Sequence, residues 1–348
     1  MKKRITVVFA FAAIALGLGT FVLADVKNAA ARKIQAAELV ALLPASDGVV
    51  TLDVKRFFND ALPTLLSKNQ PMLAEITGKI EEFASKSGVD IRQFDHVAVG
   101  VTTNKRGGTK NYDYDPVVIA RGDVNSGALI GAAKLAANGK YREERVGEKT
   151  VYIFEAKKIA ADHNKKAGNK APDKIIDRVS SEVAITAIDS NTLAFGDPAR
   201  VRQTLEAKTH VGSDILALLE GTSSPVTTFA ARVPQGMESL VPLDNDELGK
   251  SIASIRYLFG NVDVAAGNAS VHAAARTQQP AQARSLLETL EGLQMVGKAF
   301  LGGAKGEDKQ VYARMVENAK FTTKGNDVVL DLIVPQSDID IIVGSLKR

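Results

Sequence analysis

The stretch VAVGVTTNKRGGTKNYDYDPVVIA, residues 97–120, decides how this chain folds. Val97, Val99 and Val101 alternate with small residues, the period-two pattern of a half-buried strand. Asn104-Lys105-Arg106-Gly107-Gly108 then supplies turn chemistry, and Val117–Ala120 returns as a partner strand. A strand that doubles back on its neighbour makes an antiparallel hairpin, here with a long polar tip.

Working outward, the same alternation of strand and helix signals recurs. Upstream, a helical stretch from about Ala29 to Leu43 is stopped by Pro44, and Val49–Val54 reads as a strand. Phe57, Phe58, Leu62, Leu65 and Leu66 follow at helical spacing. A helix over Met72–Ser85 ends at Gly88, a left-handed cap. Downstream, Asn125 or Ser126 caps a helix to about Ala137, and Val151–Phe154 is a strand. Val183–Ile188 and Thr192–Phe195 form a tight hairpin across Asp189-Ser190-Asn191. Asp197-Pro198 opens a helix with a capping oxygen and a proline in the first turn, and Val201 and Leu205 continue its spacing.

The second half restates this order. Val226–Val233 is a strand, followed by apolar spacing through Met237, Leu240 and Val241. Ile255–Phe259 and Ala269–Ala275 are strands joined by a turn at Gly267-Asn268. A long helix runs from Gln279 to about Leu301 with Leu286, Leu287, Leu290 and Leu293 on one face. Asp327–Val334 is a strand, and Ser337 caps a final helix. Both halves therefore read strand, helix, strand, strand, helix, strand. The expected fold class is α+β: two related units of antiparallel sheet, helices packed on one face. The units are placed at residues 25–208 and 209–348.

An export signal precedes them. Lys2, Lys3 and Arg4 lead into an apolar run from Ile5 to Leu23, closing on Val22-Leu23-Ala24 and then Asp25. Small or branched residues at −3 and −1 place a cleavage site between Ala24 and Asp25, with residues 1–24 as signal peptide. The alternative is an uncleaved anchor through residues 5–23, since the run is long enough to cross a bilayer. Either way the expected location is periplasmic or extracellular, with membrane contact only through that segment.

The 44 Lys and Arg outnumber 40 Asp and Glu, but Lys2, Lys3 and Arg4 belong to the signal. The mature chain is then close to neutral, which argues against a nucleic-acid partner. With no cysteine there is no lipid-anchoring thiol, no disulfide and no thiolate chemistry. Aromatics are 5% of residues and tryptophan is absent, so aromatic platforms for sugars or bases are not expected. No Gly-x-Ser-x-Gly, His-Glu-x-x-His, Ser-x-x-Lys or phosphate-binding Gly-x-x-x-x-Gly-Lys-Ser/Thr motif occurs. The histidines, His96, His163, His210 and His272, are far apart. His96 begins a strand and His272 sits within one, so both read as packed or edge residues, not as ligands. No catalytic residue, metal ligand or cofactor is assigned.

Several patterns have plainer readings than their spelling suggests. Arg121-Gly122-Asp123 falls where a strand turns into a helix, and an acid there suits the helix N-terminus. Asn268-Ala269-Ser270 matches a glycosylation acceptor at a strand start. Asp244-Asn245-Asp246-Glu247 lacks the glycine and terminal glutamate of a calcium loop. Lys157, Lys158, Lys165, Lys166, Lys170 and Lys174 lie in a loop diluted by Asp162, Asp173 and Asp177, a solvated connection. Gly302-Gly303-Ala304-Lys305-Gly306 breaks two helical segments and has no preceding strand, so it is no phosphate cradle. Arg121 and Arg276 occupy matching places in the two units, each expected to cap a strand end against nearby acids.

Leu43-Pro44-Ala45 before Val49–Asp53, Gly88-Val89-Asp90 before a strand and Gly196-Asp197-Pro198 before a helix resemble a loosely defined group of exported bacterial proteins of unknown function. The resemblance covers most of the mature chain and implies repeated α/β units behind a signal peptide, with no catalytic residues to carry over. The expected function is non-catalytic binding of a ligand or envelope protein by a sheet face or the groove between the units. The alternatives are a carboxylate- or His-based hydrolase and an assembly protein acting through a sheet edge.

Overall fold

The computed structural model describes residues 35–105, 112–159, 181–206, 208–220, 224–235, 246–303 and 306–345. The strands are β1 (Gly48–Asp53), β2 (Phe94–Lys105), β3 (Tyr112–Gly122), β4 (Tyr141–Val146), β5 (Lys149–Phe154), β6 (Val183–Ala187), β7 (Thr192–Gly196), β8 (Thr227–Arg232), β9 (Ile255–Ala265), β10 (Asn268–Thr277), β11 (Lys320–Lys324) and β12 (Asp327–Pro335). The main helices are α1 (35–42), α2 (Gln70–Ser87), α3 (Ser126–Ala137), α4 (Pro198–Glu206), α5 (Ser213–Leu219), α6 (Asp246–Ala253), α7 (Pro280–Gly302), α8 (Glu307–Asn318) and α9 (Gln336–Ser345). A further helical run goes from Val54–Arg56 through a π-helical turn, Phe57–Ala61, to Leu62–Leu65.

The hairpin forms as its alternation requires: Val97 pairs with Ala120, Val101 with Pro116 and Lys105 with Tyr112. Its tip, residues 106–111, lies outside the described residues. Every strand pairs antiparallel, in one sheet ordered β11-β12-β10-β9-β8-β1-β2-β3-β7-β6-β5-β4. Read outward from its middle, the order repeats. One side runs β1, β2, β3, β7, β6 and the other β8, β9, β10, β12, β11, with β5 and β4 added to the first. The seam is the pairing of β1 with β8, where Val50 faces Phe229 and Thr51 faces Thr228.

Local chemistry explains the element ends. Asp53 Oδ1 accepts from the Arg56 N–H at 2.9 Å, so the chain turns helical at Val54, one residue before the expected strand end. Asn69 and Asn125 cap α2 and α3 by accepting from Met72 and Ala128 backbone N–H groups. Gly88 ends α2 in the left-handed conformation, φ 70°. Ala266 and Gly267, at φ 53° and 76°, make the tight β9–β10 turn, and Asn268 already belongs to the strand.

In the first half both sheet faces are covered. Val49, Ala98, Val117, Ile119, Val151 and Ile153 pack with Leu39 of α1, Leu43 just beyond it, Val201 of α4 and Ile215 of α5. On the opposite face Ala120 and Leu193 pack with Val54 and Ile130. In the second half helices cover one face. Val264, Ala269 and Val334 meet Leu62, Leu65 and Ile339, while Val328 meets Ala283 and Leu286 of α7. The other face is covered by α1 and α5 beside the seam, where Ala230 and Phe259 join the first core, and farther out His272, Asp331 and Ile333 stand exposed on it.

Strands β4 and β11, with helices α5 and α6, lack a counterpart among the expected elements, while α8 is the second helical segment expected beyond the Gly302–Gly306 break. The expected helical start at Ala29, the apolar segment through Met237, Leu240 and Val241, and the Ala24–Asp25 cleavage site lie outside the described residues. No helix of the described residues is long and apolar enough to cross a membrane.

Candidate functional site

A cavity of about 300 Å³ lies over the β1–β8 seam, on the face carrying α1 and α5. This is the lower end of the roughly 300–1,000 Å³ typical of small-molecule sites. Its floor follows from strand periodicity. Thr51 and Asp53 point the same way from β1, Thr228 is the direct partner of Thr51, and His96 of β2 is the direct partner of Asp53. Four polar side chains from three adjacent strands thus meet on one face.

The walls are apolar. Ala36, Ala37, Val40 and Ala41 line it from α1, Leu216 and Leu219 from α5, and Pro225 closes one end beside Ser224. Alanine at three of the four α1 positions leaves the space that larger side chains would fill. Glu220, at the end of α5, is exposed at the rim.

Asp53 and His96 are nearly inaccessible, with side chains 3% and 6% exposed. His96 Nε2 lies 3.8 Å from Asp53 Oδ2, the spacing of an ion pair and longer than a hydrogen bond. The nearest cations in sequence serve other acids. Arg56 Nη1 is 2.8 Å from Asp263 Oδ1 and donates to the Ser224 carbonyl at 2.6 Å, and Lys55 pairs with Asp95.

The α5 wall is clamped to the sheet. Tyr257 Oη donates to Asp214 Oδ2 at 2.9 Å, which pushes the phenol up. Asp214 also accepts two hydrogen bonds from Arg232, and these hold its carboxyl down at about 2. Beyond α1, Arg200 is buried at the base of α4. Its Nη2 donates to Ser46 Oγ at 2.8 Å and its Nη1 to Gln203 Oε1 at 2.6 Å, and burial pushes the guanidinium down.

The singled-out residues are dispersed. Arg121 pairs with Glu38 at 2.6 Å and donates to Thr192 Oγ1, while Arg276 makes a bidentate pair with Asp327. The two arginines occupy equivalent registers, opposite Thr192 on β7 and Asp327 on β12. Gly122 closes β3 where an added Cβ would lie 2.2 Å from the Gln93 carbonyl oxygen, so close packing accounts for it. His272 contacts Asp331 at 2.7 Å on the open face, and His210 bridges to Pro44. Asn268 Nδ2 donates to the Ala266 carbonyl. Lys158 pairs with Glu155 at 2.9 Å. Asp244, Asn245, His163 and residues 160–180 lie outside the described residues. Among the described residues no group of three His, Cys, Asp or Glu is placed to hold a metal ion.

A second concavity of about 440 Å³ is lined by Ser181, Glu182, Asp197, Pro198, Ala199 and Arg202. It is open, and its charges already face partners: Glu182 takes Arg142, and Arg202 takes Glu144 at 2.6 Å. The seam cavity is the better-walled site. The sequence signal for it was local and easily passed over: Thr51 and Asp53 share parity in a strand whose other residues are apolar.

No family model matches the chain, and no curated protein matches it. Among solved structures, crystal form IV of TP0453 aligns with 89% of this chain and 98% of that one, at TM-score 0.44 and 8% identity. Crystal form III aligns with 88% and 97% at TM-score 0.42 and 9% identity. Crystal form I covers the same shares at TM-score 0.40 and 11% identity. At these scores the alignments bear on neither site nor function.

Proposed function

We propose that this chain is an exported envelope protein, built of two related units over 25–208 and 209–348, that binds a small ligand in the β1–β8 seam cavity. The observation that carries the reading is the cavity itself, an apolar enclosure floored by Thr51, Thr228, Asp53 and His96. A few convergent polar groups inside apolar walls are the usual composition of a ligand site. The leader over residues 1–24 supports the envelope location. The assembly alternative is weakened by the edges of the sheet. Edge strand β4 presents Arg142, Glu143, Glu144 and Arg145, and edge strand β11 begins and ends with lysine. Such charges discourage edge-to-edge pairing.

The test is native mass spectrometry of the protein expressed with its own leader and recovered from the envelope fraction. The expected result is a chain beginning at Asp25 carrying a reproducible added mass that is lost on denaturation. A clean mass would overturn the small-ligand reading.

A further inference from the structure

The polar groups left open on the cavity floor name the class of molecule it takes, and this step rests on the reading above. We infer that the ligand is an uncharged amphipathic molecule, an apolar body with a hydroxyl or carboxamide head, the head seated between the Thr51 and Thr228 hydroxyls.

Thr51 and Thr228 face each other across the seam, and both line the cavity. Side chains opposed in this way hold their Cβ atoms about 5 Å apart, so one small head reaches both. Neither hydroxyl has a hydrogen-bond partner among the described residues. The charged groups nearby are committed. Asp53 and His96 stand at ion-pair distance, 3.8 Å, and each has a further interaction of its own. Arg56 is engaged by Asp263 Oδ1 and by the carbonyls of Ser224 and Val264. Glu220 is exposed at the rim, and the lining contains no lysine or arginine. Next along the row, the residue paired with Thr228 on β9 is Asn261, which is neutral.

Three kinds of head can be compared on this floor. A carboxylate or an ammonium must leave water on entering, and the floor has no uncommitted counter-ion to receive it. A wholly apolar ligand would bury both hydroxyls without partners, which costs free energy as well. A hydroxyl or carboxamide is cheaper to dehydrate, and it donates and accepts as the threonine hydroxyls do. The carboxamide oxygen can accept from one hydroxyl while its nitrogen donates to the other. The body meets Ala36, Ala37, Val40, Ala41, Leu216 and Leu219, whose side chains reward alkyl surface and offer no polar partner.

NMR titration of the purified protein with hexanamide, hexanol, hexylamine and hexanoate at neutral pH tests this directly. Hexanamide and hexanol are expected to bind about tenfold more tightly than either charged probe. The double variant Thr51→Val with Thr228→Val keeps the side-chain shape and removes both hydroxyls. It is expected to lose about tenfold in hexanamide affinity. Its urea midpoint should stay at or above that of the parent, because the hydroxyls it loses have no partner in the described chain. A charged probe binding as tightly as hexanamide, or a double variant with undiminished hexanamide affinity, would overturn the ligand class while leaving the cavity as the site. Ala41→Trp, at the exposed end of the α1 wall, separates the two levels. If no probe binds, yet this variant displaces a natively bound mass, the uncharged-head assignment falls alone. If it leaves such a mass in place, the cavity reading falls as well.

Discussion

Arg232 on β8 grips Asp214 on α5 with two parallel hydrogen bonds, Nε to Oδ2 at 2.7 Å and Nη2 to Oδ1 at 2.6 Å. With the Tyr257 hydroxyl on Oδ2, three elements converge on one carboxylate, and the outer wall of the seam cavity is held in place by it.

Asp214 therefore carries a pH signature. Its folded pKa is about 2, against about 3.9 in an unfolded chain, so the pair adds stability above pH 4 and loses it as pH falls towards 2. Asp214 and Arg232 are 36% and 39% exposed, which screens the contribution to about 1 kcal/mol. Asp214→Asn should be less stable than the parent by about that amount at neutral pH. The gap should close between pH 4 and pH 2 in urea titrations, and a gap that stays constant would contradict the linkage.

Gly122 has no room for a side chain, since a Cβ would meet Gln93 O at 2.2 Å and Phe94 Cα at 2.3 Å, both backbone atoms that cannot swing aside. Gly122→Ala should lower unfolding stability by about 2–4 kcal/mol. The same change at Gly131, which meets nothing within 4 Å, is the control and should be neutral or slightly stabilising.

Arg200 is 5% exposed, and its guanidinium donates to the neutral Ser46 and Gln203, with Asp115, Asp197 and Asp47 favouring its charge only from a distance. A buried charge held this way is costly to desolvate, and an apolar residue of similar length often does as well. Arg200→Met should fall within about 1 kcal/mol of the parent or above it. Arg200→Ala, which leaves a void, should lose about 2–4 kcal/mol. Chemical denaturation of both separates the packing role from the charge.

Met295, Val296 and Phe300 on α7 are exposed by 73%, 65% and 82%. Their replacement by glutamate should change stability by no more than about 0.5 kcal/mol, because they contribute nothing to the packed interior. A larger loss in a thermal scan would show that this end of α7 is covered in solution.

The antiparallel character was legible in residues 97–120, because alternation and turn chemistry are local properties. So were the caps at Asn125 and Gly88 and the matched arginines, 121 and 276. The edge strands were not: β4 reads Tyr-Arg-Glu-Glu-Arg-Val and β11 Lys-Phe-Thr-Thr-Lys, and neither buries enough apolar surface to leave a hydrophobic pattern. Helix α5 spans Ser213–Leu219 and is too short for periodicity to announce. The cavity was hidden for another reason. Thr51 and Thr228 are unremarkable polar residues until their strands are known to be neighbours, and no local pattern reports neighbours so distant in the chain.

That distance governs how the molecule comes into being. Gly48 lies opposite Ala231, so the first strand waits for most of the polypeptide before its second edge is satisfied. A contact of such long range is entropically slow to close, and until it closes β1 presents a bare, largely apolar edge. The seam cavity, which needs both strands, is therefore among the last parts of the molecule to exist. A bound ligand would then act as a clasp on an otherwise late closure, favouring the assembled barrier between the halves over any intermediate that lacks it.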